Sequence, residues 1–136
     1  MNSRLTIAAR PRPRPHILVV DDDLYSRELS AGVLIRSGYT VDTAGDGREA
    51  WWALHRERYD LLITEPHPAR DPGPDLLQQM REEAMRLPVI LASRRPPAEG
   101  MHPHPGGQIQ AVVTHPCSLN LLLQTVQTVL SGSQPR

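Results

Sequence analysis

One short stretch decides the fold: residues 16–23 read HILVVDDD. Four consecutive apolar side chains, from Ile17 to Val20, are typical of a strand that is covered on both faces in a parallel sheet. Three acids follow directly, at the point where such a strand ends. Because the functional crevice of an open parallel sheet lies at the carboxyl ends of its strands, Asp21 and Asp22 are candidate site residues. Asp23 is better suited to cap the helix that follows.

The rest of the chain repeats this alternation of short apolar runs and helical stretches. Further strands are predicted at 40–43, 61–64, 89–92 and 111–114. The first of these alternates between apolar and polar residues, which suits the edge of a sheet. Helices are predicted after Asp23, Asp46, Asp75 and Ser118. The predicted fold class is therefore α/β, with a doubly wound five-stranded parallel sheet.

The segment 94–107 interrupts this pattern where a fourth helix belongs. It contains four prolines and three glycines. Interior prolines cost a helix about 3 kcal/mol each, because they remove a hydrogen bond and clash with the preceding turn. The fourth helix is therefore predicted to be short, irregular or missing.

Composition narrows the class of protein. The 136 residues include 15 basic and 15 acidic side chains, 39% hydrophobic residues and a single cysteine, and the mean hydropathy is -0.40. These values predict one soluble, cytoplasmic domain with no disulfide framework and no membrane segment, and no general affinity for nucleic acid. Residues 1–15 are rich in arginine and proline and are predicted to be a disordered tail. The folded domain is predicted to cover 16–131, followed by a disordered end at 132–136.

Other strands also end in residues that can carry chemistry. Glu65 follows the third predicted strand, Ser93 the fourth and His115 the fifth. A parallel sheet brings carboxylate, hydroxyl and imidazole to one edge together with Asp21 and Asp22. Acids that are clustered in this way repel each other, so they persist where a divalent cation or a cationic side chain offsets the repulsion.

Further motifs follow the strand-one acids along the chain. They are Arg27 one turn into the first helix, Gly38-Tyr39-Thr40-Val41, Gly47-Arg48-Glu49-Ala50, Tyr59-Asp60-Leu61-Leu62-Ile63-Thr64 and Pro88-Val89-Ile90. In this order, over residues 16 to about 130, the motifs resemble the receiver domain of bacterial two-component response regulators, which has a flavodoxin-like fold.

The resemblance implies a role for each candidate residue. Active members carry a phospho-acceptor aspartate after strand three, and Mg²⁺ is held by that residue and the strand-one acids. A hydroxyl after strand four and a lysine after strand five bind the phosphoryl oxygens. In this chain Asp21 and Asp22 match the acid pair and Ser93 matches the hydroxyl. The acceptor position is Glu65 and the lysine position is His115, in a chain that has no lysine.

These two replacements determine the predicted function. Glutamate carries its carboxylate about 1.5 Å further from the backbone than aspartate does, which displaces it from the geometry that in-line phosphoryl transfer requires. A neutral imidazole does not supply the fixed charge of a lysine. The main prediction is a degenerate receiver, or pseudo-receiver, that acts by protein contact without phosphorylation and binds Mg²⁺ weakly at Asp21 and Asp22.

Two alternatives stay open at this point. One is a phosphorelay receiver that still accepts phosphate, at Glu65 or a neighbouring acid. The other is a Mg²⁺-dependent enzyme, which is disfavoured because the sequence shows no further acid–base pair or nucleophile. The expected partner is a protein, either a histidine kinase or a downstream signalling protein. No activation-type dimer is expected, because the face that would form it includes the proline-rich segment 94–107.

Overall fold

The computed structural model describes residues 14–65, 75–93, 102–104, 106–114 and 118–132. These residues form five strands and four helices in alternating order, except that β4 is followed by β5 without a described helix between them. The strands are β1 (His16–Val20), β2 (Thr40–Ala44), β3 (Leu61–Thr64), β4 (Val89–Ser93) and β5 (Ile109–Thr114). The helices are α1 (Leu24–Arg36), α2 (Gly47–Arg56), α3 (Leu76–Glu82) and α4 (Leu119–Gly132).

The strands form one parallel sheet in the order β2-β1-β3-β4-β5. The predicted parallel sheet is confirmed, and the alternating strand β2 lies at an edge. Several strands are longer than predicted, and β5 begins two residues earlier, at Ile109. The chain moves from β1 outward to β2 and then returns to β3 on the other side of β1, so the strand order reverses beside β1. That reversal opens a crevice at the carboxyl ends of β1 and β3.

Helix starts follow the predicted capping residues. The Asp23 carboxylate accepts a hydrogen bond from Ser26 N at 2.8 Å, and the Asp46 carboxylate accepts one from Glu49 N at 2.8 Å. Asp75 caps α3 in the same way. Each bond satisfies a backbone N–H that has no partner within its helix. The start of α1 directly follows the strand end that carries Asp21 and Asp22.

Two apolar clusters fill the two faces of the sheet. Successive residues of a strand point to opposite faces, so Ile17 and Val19 join one cluster while Leu18 and Val20 join the other. Helices α1 and α4 cover the first cluster, and α2 and α3 cover the second. The adjacent tryptophans of α2 divide between core and surface: Trp51 packs against the second cluster, and Trp52 is 64% exposed.

The predicted irregularity at 94–107 lies largely outside the described residues. Within the described parts, 102–104 and 106–108 form bends and a turn before β5. The predicted tails also lie largely outside, at 1–13 and 133–136. Pro15 belongs to the ordered framework, since its carbonyl accepts a hydrogen bond from Thr40 N at 3.0 Å, and α4 continues to Gly132. No helix in the described part of the chain is long and apolar enough to cross a membrane.

Gly38 is predicted to matter for stability through its backbone alone. It follows α1 with φ at 101°, and a Cβ built at this position would meet no atom within 4 Å. Gly38→Ala should therefore lower the free energy of unfolding by about 1–2 kcal/mol, from backbone strain rather than from a clash. Urea denaturation measures this loss. Gly132→Ala is the matched control, since its surroundings are equally open, and it should be neutral or slightly stabilising; equal losses at both glycines would contradict the explanation.

Candidate functional site

Three carboxylates meet at the carboxyl ends of β1 and β3. These strands are neighbours, and Val20 is in register with Thr64, so Asp21 and Glu65 leave the sheet at the same level. One oxygen from each of Asp21, Asp22 and Glu65 lies within 4.8 Å of the other two. The sequence predicted that these acids would share an edge of the sheet, and the structure places them in one cluster. We call Asp21, Asp22 and Glu65 the acid cluster.

Asp21 is the most firmly held member of the acid cluster. It is 5% exposed, and its Oδ1 accepts a hydrogen bond from Asp23 N at 2.9 Å. Its backbone N–H donates to Ala44 O at 3.1 Å, and its carbonyl accepts from Arg27 Nη1 at 2.8 Å. The arginine one turn into α1 thus fixes the end of β1, from which Asp21 enters the acid cluster.

The three consecutive aspartates have different roles. Asp22 is exposed and contributes to the acid cluster, whereas the side chain of Asp23 caps α1. This division follows from where the helix begins: Asp23 is the residue before α1, and its carboxylate turns to a free backbone N–H of the first helical turn. The predicted separation of Asp23 from the other two is confirmed.

The other candidate residues are described only in part. Ser93 is the last residue of β4, is 5% exposed and is in register with Thr114 at the end of β5. Its position at the same edge of the sheet as the acid cluster agrees with the prediction. His115, and Arg94 next to Ser93, lie outside the described residues. The roles assigned to Ser93 and His115 stay predictions.

The donor set of the acid cluster fits a hard divalent cation. Mg²⁺ binds oxygen ligands and is commonly held by one or two carboxylates together with water or phosphate oxygens. Three carboxylates at this spacing, one of them buried and fixed by hydrogen bonds, provide such oxygens. The residues that would hold the ion are Asp21, Asp22 and Glu65.

A second polar network lies at the opposite end of the sheet. His16 Nε2 lies 2.8 Å from Asp42 Oδ2, which also accepts a hydrogen bond from Tyr59 Oη at 2.7 Å. Burial, together with that hydrogen bond, raises the pKa of the Tyr59 phenol. No local sequence pattern predicts this network, because it joins positions on two strands and a loop and depends on their register. It holds the amino ends of β1 and β2 and the entry to β3 together.

His55 links α2 to the end of α3. Its Nδ1 lies 2.8 Å from Trp51 O and its Nε2 lies 3.2 Å from Glu83 Oε1. The backbone carbonyl of Trp51, and then the Glu83 carboxylate, raise the pKa of this imidazole above its usual 6.5. A raised pKa in the folded state means that any stabilisation from protonated His55 is present at low pH and fades as the pH rises through that pKa.

Comparison with known proteins agrees with this geometry. The response regulator receiver domain family matches residues 17–127. The two-component response regulator ORR3 of Oryza sativa subsp. indica is 35% identical over 86 residues, which are 61% of this chain and 66% of that protein. The response regulator MprA of Mycobacterium leprae is 29% identical over 119 residues, covering 88% of this chain and 52% of that protein. The matches therefore span less than two thirds of either relative.

Solved structures show the same fold. The receiver domain of the Francisella response regulator 1452 superimposes with a TM-score of 0.76 at 24% identity, covering 89% of this chain and 100% of that one. The signal receiver domain of an HD domain-containing protein from Pseudomonas fluorescens gives 0.74 at 26% identity, covering 88% and 96%. Together with the family match over 17–127, these likenesses show that the chain belongs to the response regulator receiver domain family, a non-catalytic module of two-component signalling.

Proposed function

We propose that this chain is a phospho-accepting receiver of a two-component phosphorelay. The sequence analysis left this function open as an alternative to the pseudo-receiver. One observation carries the proposal: Asp21, Asp22 and Glu65 bring carboxylate oxygens within 4.8 Å of one another at the crevice of the sheet. A pseudo-receiver has no need to keep a cluster of acids whose mutual repulsion costs stability. The proposal therefore assigns the cluster to cation binding and phosphoryl transfer.

Each residue of the site has a proposed role. A bound Mg²⁺ would offset the negative charge that the incoming phosphoryl group adds to the site. Asp21 and Asp22 would hold the ion, and Arg27 keeps Asp21 in place by donating a hydrogen bond to its carbonyl. A Glu65 carboxylate oxygen attacks the phosphorus of the donor, and an acyl phosphate forms on Glu65. The bond from phosphorus to the donor breaks, which releases a histidine ring nitrogen from a phosphohistidine donor or the carboxylate oxygen of acetate from acetyl phosphate. Ser93, on the neighbouring strand, is proposed to contact the transferred group.

The proposed phosphoryl donor is a histidine kinase or a phosphotransfer protein. Receiver domains work with such proteins in two-component signalling. The sensor histidine kinase RcsC of Salmonella typhimurium contains a region that is 30% identical to this chain over 110 residues, or 12% of that kinase. A protein partner is therefore proposed on family grounds. The absence of an activation-type dimer stays a prediction, because most of the segment on which it depends lies outside the described residues.

A second candidate, the pseudo-receiver, is favoured by the identity of residue 65. A glutamate there places the carboxylate about one bond further out than the aspartate of active members. In this alternative the domain acts by protein contact alone, and the acid cluster is a structural remnant held by Arg27. The two candidates predict opposite results with a small phosphodonor.

Incubation with acetyl phosphate and Mg²⁺, followed by intact-mass measurement, tests the proposal. We expect the full chain to gain one phosphoryl group, slowly because of the displaced carboxylate, with acetate as the leaving group. Glu65→Gln should abolish the gain, and Asp23→Asn, which changes a neighbouring charge outside the acid cluster, should leave it. No gain in the wild type at saturating Mg²⁺ would favour the pseudo-receiver. A gain that persists in Glu65→Gln would place the acceptor elsewhere.

A further inference from the structure

A glycine stands where strand β2 passes into helix α2, beside the end of β1. Gly45 follows Ala44, the last residue of β2, and Ala44 O accepts the hydrogen bond from Asp21 N. The turn that begins at Gly45 therefore lies against the end of β1, from which Asp21 and Asp22 enter the acid cluster. A side chain at position 45 would consequently be placed close to the groups that hold Asp21.

Two charged side chains occupy the space in which a side chain of residue 45 would begin. A Cβ built on Gly45 would lie 3.1 Å from Arg27 Nη1 and 3.3 Å from Glu49 Oε1. Both distances are shorter than the separation of about 3.5–4.0 Å at which non-bonded heavy atoms attract each other best. Arg27 belongs to α1 and Glu49 to α2, so the two helices bring opposite charges together over a residue without a side chain.

Both of these side chains are held in place by hydrogen bonds. Arg27 Nη1 donates to Asp21 O at 2.8 Å, and Glu49 Oε1 accepts from Gly45 N. Glu49 is fixed further because its own backbone N–H donates to the capping carboxylate of Asp46 at 2.8 Å. A Cβ at position 45 would therefore press on two atoms that each already make a hydrogen bond, and one of those bonds holds the end of β1.

The backbone conformation at position 45 does not itself require glycine. Among the described glycines a positive φ occurs at Gly38 and Gly106, and not at Gly45. A residue with a side chain can therefore take the place of Gly45 without the backbone strain expected for Gly38→Ala. Gly38 is the opposite case, since its φ is positive and its surroundings are open. What glycine provides at position 45 is space for Arg27 and Glu49.

We propose that Gly45 is a positioning residue of the acid cluster: because it has no side chain, Arg27 can reach across the turn and hold the Asp21 carbonyl. The inference rests on the proposed function, in which the acid cluster holds a cation. A side chain at position 45 displaces the guanidinium, and Asp21 then keeps its cation-binding arrangement in a smaller share of the molecules. The apparent affinity for the cation falls in proportion to that share.

The first test is made without a cation. NMR of the metal-free full chain measures the carbonyl carbon chemical shift of Asp21, which responds to the hydrogen bond from Arg27. Arg27→Ala removes that bond and gives the shift of the released carbonyl. Gly45→Ala should move the Asp21 resonance in the same direction, by part of that change. Gly32→Ala is the matched control, because its Cβ would meet Arg36 Nη1 at 3.3 Å, at the other end of α1, and it should leave the resonance in place.

The second test measures Mg²⁺ affinity by NMR titration in a double-mutant cycle. Gly45→Ala should weaken Mg²⁺ binding about three-fold, which corresponds to the release of Asp21 in about two thirds of the molecules. In a chain that already carries Arg27→Ala, the same substitution should have no further effect, because the guanidinium that the Cβ displaces is gone. A glycine that only shaped the turn would cause the same loss in both backgrounds.

The results separate a failure of this inference from a failure of the proposed function. An unchanged Asp21 resonance in Gly45→Ala, or equal losses of Mg²⁺ affinity in both backgrounds, would overturn the inference. A wild type that binds no Mg²⁺ but shows the expected carbonyl shifts would overturn the proposed function and support the action of Gly45 on Asp21. If Arg27→Ala does not fold, the comparison of Gly45→Ala with Gly32→Ala decides, and equal effects of the two on Asp21 would contradict the inference.

Discussion

Mg²⁺ is expected to stabilise this protein only at millimolar concentrations. The acid cluster supplies three oxygen ligands, but Mg²⁺ requires nearly octahedral geometry at about 2.1 Å, and the longer Glu65 side chain fits that geometry poorly. A cation that binds only the folded state adds about 1.4 kcal/mol at ten times its dissociation constant, which corresponds to a rise of about 5 °C in the unfolding midpoint. Thermal unfolding at increasing Mg²⁺ measures this rise, and sub-millimolar affinity would contradict the prediction.

Adjacent aspartates provide the controls for this experiment. Asp21→Asn and Asp22→Asn each remove a ligand charge and should weaken Mg²⁺ binding at least about ten-fold. In Asp21→Asn the side-chain oxygen can still accept the hydrogen bond from Asp23 N, so the loss reports on charge rather than on loop structure. Asp23→Asn keeps the helix cap and should leave the affinity within about two-fold. Equal losses in all three variants would indicate a general electrostatic effect and not a site.

Glu65→Asp tests the cause of the weak affinity. Shortening the side chain by one bond should bring the carboxylate closer to the position that octahedral coordination requires and should tighten Mg²⁺ binding several-fold. Glu65→Gln keeps the length and removes the charge, and it should weaken binding. An unchanged affinity in Glu65→Asp would mean that residue 65 is not a ligand.

The fold was predictable because its signals are local. Continuous apolar runs predict buried parallel strands, and aspartates that directly precede helical stretches predict the caps that Asp23 and Asp46 form. The acid cluster was predictable as well, since parallel strands carry their carboxyl ends to one edge of the sheet. The motif order that resembles receivers agrees with the family match over residues 17–127.

Features that depend on register were not predictable. His16, Asp42 and Tyr59 meet only because β1 and β2 pair with His16 opposite Thr40, and no local pattern specifies that alignment. The main prediction, a pseudo-receiver, relied on the identities of single residues. It stays a hypothesis beside the phospho-accepting function that we propose, which is supported by the closeness of the three carboxylates.

Leu122→Ala is expected to cause a larger loss of stability than any other substitution discussed above. Leu122 is 2% exposed and belongs to the cluster that α4 forms with the sheet and α1. Truncation removes apolar contacts and leaves a cavity that close-packed neighbours fill only partly, at a cost of about 3 kcal/mol. A loss of that size is a large fraction of the free energy of unfolding of a single domain. Urea denaturation should show a lower midpoint with an unchanged slope.

The preceding residue of α4 is the matched control. Leu121 has the same side chain and the same helical backbone but is 45% exposed. Leu121→Ala should therefore change the free energy of unfolding by no more than about 0.5 kcal/mol. Both variants change helix propensity by the same amount, so the difference between their losses in free energy of unfolding reports on burial. Similar losses for both would mean that α4 does not pack through the face that carries Leu122, and Val126 and Val129 would then also be misplaced, because they lie on that face.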